Sequence, residues 1–391
     1  MTTTPVEQST DSIWNAGNAI DFVADNEVLT IDANVIVGSQ NGSGVDQTSA
    51  YSGGHVVNNG NIFSQGDSYA GVYMRAGTDT VTNNAGAFIQ GYDGVNFFGL
   101  SVEKLVNAGS ITGSSVGVEF SGGDVSQIVA NNTGVIYGEI GLFVAATSTE
   151  VPSTIHNSGT IDGGTEFGVY VNQGASSKTT ILNQAGGLIE GKVDAIIVES
   201  GTLVLTNNGT LSGEFADAGG TKDVITNNGW MDDFASLSDH SDTFNGAASK
   251  SSVTVFGNKG SDHLTGGSHA DTLDGGGGDD TLTGGGGKDR FNFDTTLSSK
   301  NIDTITDFTP GTDKIELGSS AFHGLNASGA LQANMFSGNG TENSHTRIVY
   351  DPTTGHLSYD SNGSGAGHLV QFATLAENLT LHNTDFMILG F

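Results

Sequence analysis

No cysteine occurs in the chain, so no disulfide can staple its fold. Proline is almost missing, at 4 of 391 residues, while glycine reaches 60. A disordered linker protein is usually rich in proline as well. Glycine without proline fits a tightly turned repeat instead. Basic residues are scarce: Lys and Arg total 12 against 43 Asp and Glu, for a formal net charge of -31. A surface so acidic repels nucleic acid and anionic membranes and attracts cations. No apolar run approaches the ~20 residues that span a bilayer. The opening "MTTTPVEQSTDSIWNAGNAI" has no basic start and no long apolar core, so no conventional signal peptide is expected there.

What is abundant is organised. From Gly257 the chain reads "GNKGSDHLT", "GGSHADTLD", "GGGGDDTLT" and "GGGGKDRFN". Aspartate recurs every nine residues, at Asp262, Asp271, Asp280 and Asp289, and a large apolar residue follows two places later, at Leu264, Leu273, Leu282 and Phe291. This is the G-G-x-G-x-D-x-U-x pattern of calcium-binding β-helices. The first six residues of each repeat turn and the last three make a short strand whose large residue enters a core. Glycines at Gly257, Gly260, Gly266, Gly275, Gly276, Gly278, Gly285 and Gly287 permit φ > 0 and bring carbonyls toward a shared centre. Calcium takes about six to eight hard oxygens, which two stacked turns supply from carbonyls and two aspartates. Each nonapeptide is half a coil, so Asp262 is expected beside Asp280, and Asp271 beside Asp289. A metal there cancels the carboxylate repulsion and fixes the flexible glycines. Asn258 and His269 replace glycines of the pattern. Both residue types tolerate φ > 0 better than most, so both turns are expected to survive.

These repeats resemble the RTX (repeats-in-toxin) proteins that bacteria export by type I secretion. The resemblance continues downstream. "NIDTITDFTPGTDKIEL" (301–317) is similar to the segment that closes the β-roll of serralysin-type proteases, and 348–375 to the strand pair that follows it. The end, "DFMILGF", resembles the uncleaved C-terminal signal of that pathway. The resemblance implies Ca2+ as the bound ion and the type I secretion machinery as a partner. It also implies export as an unfolded chain that folds in external calcium. Asp303 joins the four aspartates and eight glycines as the expected metal-site set.

A looser repeat precedes the nonapeptides: "NNGNIFSQG", "NAGAFIQG", "NAGSITG", "NTGVIYG", "NSGTIDG", "NQAGGLIEG", "NNGTLSG", "NNGWMDD". Its glycines fall at Gly60, Gly86, Gly109, Gly134, Gly159, Gly186, Gly209 and Gly229, spaced 20 to 27 apart. Alternating apolar pairs follow at the same interval: Val72/Met74, Val95/Phe97, Val118/Phe120, Leu142/Val144, Val169/Val171 and Ile196/Val198. Alternation at period two signals strands, and helix signals are nearly absent. A right-handed parallel β-helix is expected, similar to the coils of autotransporter passengers and secreted adhesins. Asn84, Asn107, Asn132 and Asn157 are expected at coil corners, in the left-handed conformation, each bonding its amide to the next rung.

The segments read as an N-terminal cap (1–28), a parallel β-helix (29–233), a linker (234–256), the calcium β-roll (257–317), and C-terminal strands with the secretion signal (318–391). The fold class is all-β. Catalytic material is thin. Before residue 230 only Arg75, Lys104, Lys178, Lys192 and Lys222 are basic, and His55 and His156 are the only histidines. There is no H-E-x-x-H zinc site and no G-x-S-x-G elbow. The expected function is a secreted, calcium-stabilised structural or adhesive protein of the bacterial surface or biofilm matrix, with no catalytic residues. Its further partners are a cell-surface glycan or other copies of itself in fibres, and neither nucleic acid nor a membrane span is expected. The rival is a polysaccharide lyase or an enzyme similar to alginate epimerases, which share the β-helix. A cluster of Arg75 with Asp and Tyr in a groove would favour that rival.

Overall fold

The structure is a computed structural model, described for residues 5–75, 77–99, 101–123, 125–145, 152–219, 221–325, 328–363 and 368–390. It is all-β, and the chain divides into two compact units, 1–221 and 222–391. Each unit is built on a parallel β-solenoid.

In the first unit the repeat places equivalent residues of successive coils in register. One ladder runs through Val28–Ile31, His55–Asn58, Asp79–Asn83, Val102–Asn107, Gln127–Asn132, Pro152–Asn157, Lys178–Asn183 and Thr202–Asn207, all parallel. Its inward column is Leu29, Val56, Val81, Leu105, Ala130, Ile155, Ile181 and Leu205, and every member is buried. A second face stacks Val37, Ile62, Ile89, Ile111, Ile136, Ile161, Ile189 and Leu211. The expected apolar pairs form the third: all six, from Val72/Met74 to Ile196/Val198, lie in the core. Phe97 and Phe120 stack at 4.9 Å between ring centroids. Each such side chain contributes roughly 1.5–3 kcal/mol by leaving water. The motif glycine has a steric cause. A Cβ on Gly134 would lie 2.1 Å from the carbonyl oxygen of Gly109 in the preceding coil.

An asparagine ladder runs along one corner, with a different membership from the one expected. In the run Asn58, Asn83, Asn107, Asn132, Asn157, Asn183 and Asn207, each asparagine after the first receives an amide hydrogen on its side-chain oxygen from the one before, at 2.8–2.9 Å. Asn84 is not a rung; it donates to Asn59 one position further along the chain. The rungs end strands and are absent from the residues with positive φ, so the left-handed corner is corrected as well.

Residues 5–28 do not form a separate cap. Pro5–Gln8, Ser12–Trp14 and Ile20–Asp21 pair in parallel with the following coil. Residues 1–4 of the expected cap lie outside the described residues.

In the second unit, Val224–Asn227, Thr243–Asn245, His263–Thr265, Thr281–Thr283 and Asp303–Ile305 form one parallel face. Ala235–Ser236, Thr254–Phe256, Thr272–Asp274, Arg290–Phe293, Lys314–Gly318 and Phe386–Leu389 form the other. The stretch 234–256, read as a linker, is therefore a coil in register with the nonapeptides. Its Phe244 and Val255 enter the same core as Leu264, Leu273, Leu282 and Phe291, all buried. Length hid this coil, because 234–256 does not keep a nine-residue period. The segment 301–317 adds a strand to each face. Ile348–Tyr350, His356–Asp360 and Leu369–Thr374 then form an antiparallel meander; residues 364–367 lie outside the described residues. The apolar end packs as a strand, with Phe386 and Ile388 buried and Asp385 accepting the Gly311 N–H at 2.9 Å. Phe391 of the expected signal is also outside the described residues. Among the described residues no helix is long and apolar enough to cross a membrane.

Candidate metal centre

The nonapeptide strands are only three residues long, so the turns between them set the chemistry. In each turn an aspartate carboxylate reaches across to the neighbouring coil. Asp280 Oδ1 accepts the backbone N–H of Asp262 at 2.8 Å, and Asp303 Oδ1 accepts that of Asp280 at 3.1 Å. On the opposite side Asp289 Oδ1 accepts the Asp271 N–H at 3.0 Å. The expected pairs, Asp262 with Asp280 and Asp271 with Asp289, are thus stacked neighbours, and Asp303 continues the first column. All five are buried.

The second oxygen of each carboxylate separates the columns. Asp262 Oδ2 and Asp280 Oδ2 are buried with no hydrogen-bond partner. Asp271 Oδ2 instead accepts the Gly267 N–H at 2.5 Å. A buried carboxylate oxygen without a donor is costly unless a cation meets it.

The glycines explain how the oxygens come so close. A Cβ on Gly257 would lie 2.5 Å from Asp262 Oδ2 and 2.6 Å from the Gly275 carbonyl oxygen. A Cβ on Gly266 would lie 2.5 Å from both Asp271 Oδ2 and the Gly284 carbonyl oxygen, and one on Gly275 would lie 2.3 Å from Asp280 Oδ2. Gly260, Gly276, Gly278, Gly285 and Gly287 adopt positive φ. There too a Cβ would strike a carbonyl oxygen of the preceding coil, as close as 1.5 Å at Gly278. Asn258 takes the left-handed conformation at φ 66, as expected of a glycine substitute. His269 does not appear among the positive-φ residues, so the second turn closes differently from the first.

Burial pushes the ladder carboxylates up. Asp262 rises to about 8 and Asp289 to about 6, chiefly by desolvation, with neighbouring aspartates adding to it. Asp280 and Asp303 are raised by burial, and Asp280 pushes Asp303 further. Asp271 is raised by burial too. Among the described residues no group of three or more His, Cys, Asp or Glu converges on one point. The oxygens available are two carboxylates per site and the surrounding carbonyls, which is a donor set for a hard cation.

Besides Asp303, two more members of the ladder lie outside the four repeats. Asp242 Oδ1 accepts the Asp223 N–H at 2.7 Å, and Asp313 Oδ1 accepts the Asp289 N–H at 3.1 Å. Their signal was present: each stands two residues before a core side chain, Phe244 or Ile315, as in a nonapeptide. Their second oxygens are met by Ser238 Oγ at 3.0 Å and by the Thr309 N–H at 2.8 Å.

Fold and ladder together define a parallel β-solenoid whose turns are built to hold calcium. Residues 256–291 match the RTX calcium-binding nonapeptide repeat in four copies, which supports an RTX-type calcium-binding protein. No curated protein matches the chain.

Away from the ladder, Arg75 lies where its cluster matters. Its guanidinium sits 4.2 Å above the Tyr73 ring and 3.2 Å from Asp46 Oδ2.

Proposed function

We propose that this chain is a secreted, calcium-stabilised structural or adhesive protein of the bacterial surface or biofilm matrix. The observation that carries the reading is the column of Asp262 and Asp280, whose inner oxygens have no partner beside stacked carbonyls. In this reading Asp262, Asp271, Asp280, Asp289 and Asp303, with the carbonyls of the neighbouring glycines, are the calcium ligands. The β-helix from residue 29 supplies the display surface. The roll at 257–317 supplies the calcium response, and the strands after 318 carry the export signal. The lack of cysteine and the acidic charge suit a chain exported unfolded and folded by external calcium. The RTX repeats on a β-solenoid support a non-enzymatic repeat protein.

The test is export and folding together. Deleting the last ~60 residues should leave the protein inside the cell, while deleting the first 25 should not. Secretion that depends on the N-terminus would overturn the type I route.

A polysaccharide-active enzyme is the second reading, favoured by the meeting of Arg75, Tyr73 and Asp46. Incubation with alginate and pectate separates the two. New ultraviolet absorbance from unsaturated sugar, or an altered uronate proton spectrum, would establish the enzyme. Neither is expected, because one guanidinium among several carboxylates is a poor receptor for a polyanion.

A further inference from the structure

The first unit carries a cleft unrelated to the calcium ladder. It is a cavity of about 340 Å³ whose lining includes Asp46, Tyr69, Tyr73, Arg75, Asp93 and Asn96. Three buried polar atoms in its wall have no partner: Asp46 Oδ1, Arg75 Nε and Asn96 Oδ1. Asp46 is only 4 % exposed. Buried polar atoms in folded proteins are nearly always paired, and an unpaired one costs about 1–3 kcal/mol. Three in one small cavity point to a ligand that pairs them.

The surrounding bonds show what is left over. Asn96 donates both amide hydrogens to carboxylates, at 2.9 Å to Asp93 Oδ2 and 2.7 Å to Glu119 Oε2. Its own oxygen is buried and accepts no hydrogen bond. Arg75 uses Nη2 on Asp46, which leaves Nε as a donor and Asp46 Oδ1 as a second acceptor. A ligand that pairs all three atoms must offer two donors and one acceptor. A second cavity, of about 630 Å³, includes Phe63, Phe88 and Tyr92 in its lining, together with the amides of Asn61, Gln65 and Gln90. Tyr69 and Tyr92 belong to different cavities and are joined by a 2.8 Å backbone bond; both rings are exposed. Aromatic faces next to side-chain amides suit a ring that is apolar on its face and polar at its edge.

We infer that this cleft binds a neutral saccharide, with vicinal hydroxyls on Asp46, Asn96 and Arg75 and further rings along Tyr69 and Tyr92. A hydroxyl both donates and accepts, so a diol can meet all three orphaned atoms at once. The charge balance selects against anions, since Asp46, Asp93 and Glu119 outnumber the single guanidinium. The inference stands apart from the calcium reading and does not depend on turnover.

Calorimetric titration of the calcium-loaded full chain tests it. The probes are cellotetraose, laminaritetraose and mannotetraose, with tetragalacturonate and chitosan tetramer as charged comparisons. At least one neutral probe should bind. Arg75→Gln and, separately, Tyr69→Ala should each weaken it about tenfold or more, with the circular dichroism spectrum unchanged. Tyr69 is exposed, so that substitution reads the site even where the arginine variant folds poorly. No heat from any neutral probe would overturn the proposal. Binding indifferent to Tyr69→Ala, or tighter binding of either charged tetramer, would overturn it as well.

Discussion

A single buried side chain can be worth much or little according to its bonds, and the asparagine ladder shows both cases. Asn107 receives an amide hydrogen from Asn83 and gives one to Asn132, all three buried. Asn107→Ala leaves a donor and an acceptor stranded, at roughly 2–4 kcal/mol from two unsatisfied groups. Asn84→Ala removes one partly exposed bond and should cost about 0.5–1 kcal/mol. Urea unfolding midpoints of the two variants check this, and equal shifts would refute the ladder's role. Glu103 is a buried acid of another kind. Burial pushes its carboxyl up to about 8, with the nearby Asp79 adding to the rise and the Gly99 N–H opposing it. Its folded value lies above its unfolded one, so the folded state holds the proton more tightly. Its stabilising contribution is full below about pH 4.5 and is lost as pH rises toward 8. Glu103→Gln should therefore flatten the fall in melting temperature between pH 5 and 8. A slope unchanged by the substitution would show that Glu103 is not the titrating group.

Among the elements, the calcium turns make the sharpest comparison. Asp280 and Asp242 occupy equivalent ladder positions, yet only Asp280 keeps a buried oxygen without a donor, while Ser238 meets the second oxygen of Asp242. Asp280→Asn should weaken calcium binding at least tenfold, and Asp242→Asn should change it less than threefold, read from the calcium midpoint of the circular dichroism signal. A reversed order would place the ion elsewhere. The same turns show how far sequence reaches. Leu264, Leu273, Leu282 and Phe291 announced their burial because the nonapeptide keeps its phase, and the apolar columns of the first unit did so by period two. The coil at 234–256 stayed hidden because its turns have other lengths, although Asp242 and Phe244 keep the two-residue offset of the repeat. Of the expected asparagine rungs Asn107, Asn132 and Asn157 stand in the ladder, and only Asn84 was misplaced by one residue from Asn83, because a doubled asparagine offers two candidates and only the backbone chooses which one points inward. The saccharide cleft left still less trace. Asp46, Tyr73 and Asn96 are far apart in the chain and meet, with Arg75 beside them, only because coils offset by 27 and 23 residues stack them in register.

For the molecule as a whole, the excess of 43 acidic over 12 basic residues makes protons and calcium rivals for the same oxygens. Without calcium, Asp262 near 8 and Asp289 near 6 lie above the ordinary carboxylate value, so the folded roll binds more protons than the unfolded chain. Stability of the calcium-free roll should therefore be greatest at acid pH and fall as pH rises from about 4 to 8. Calcium reverses the trend, because it takes the carboxylates in their ionised form and releases those protons. The calcium midpoint should drop steadily between pH 5.5 and 8, and a lightly buffered titration at pH 7 should acidify as the ion binds. Chelation at pH 8 should then unfold the residues from about 257 onward. The β-helix of the first unit, held by aliphatic columns and amide bonds, should keep its spectrum. A calcium midpoint indifferent to pH would mean that the buried aspartates are not the ligands, and an unchanged β signal after chelation would mean that the roll needs no metal to fold.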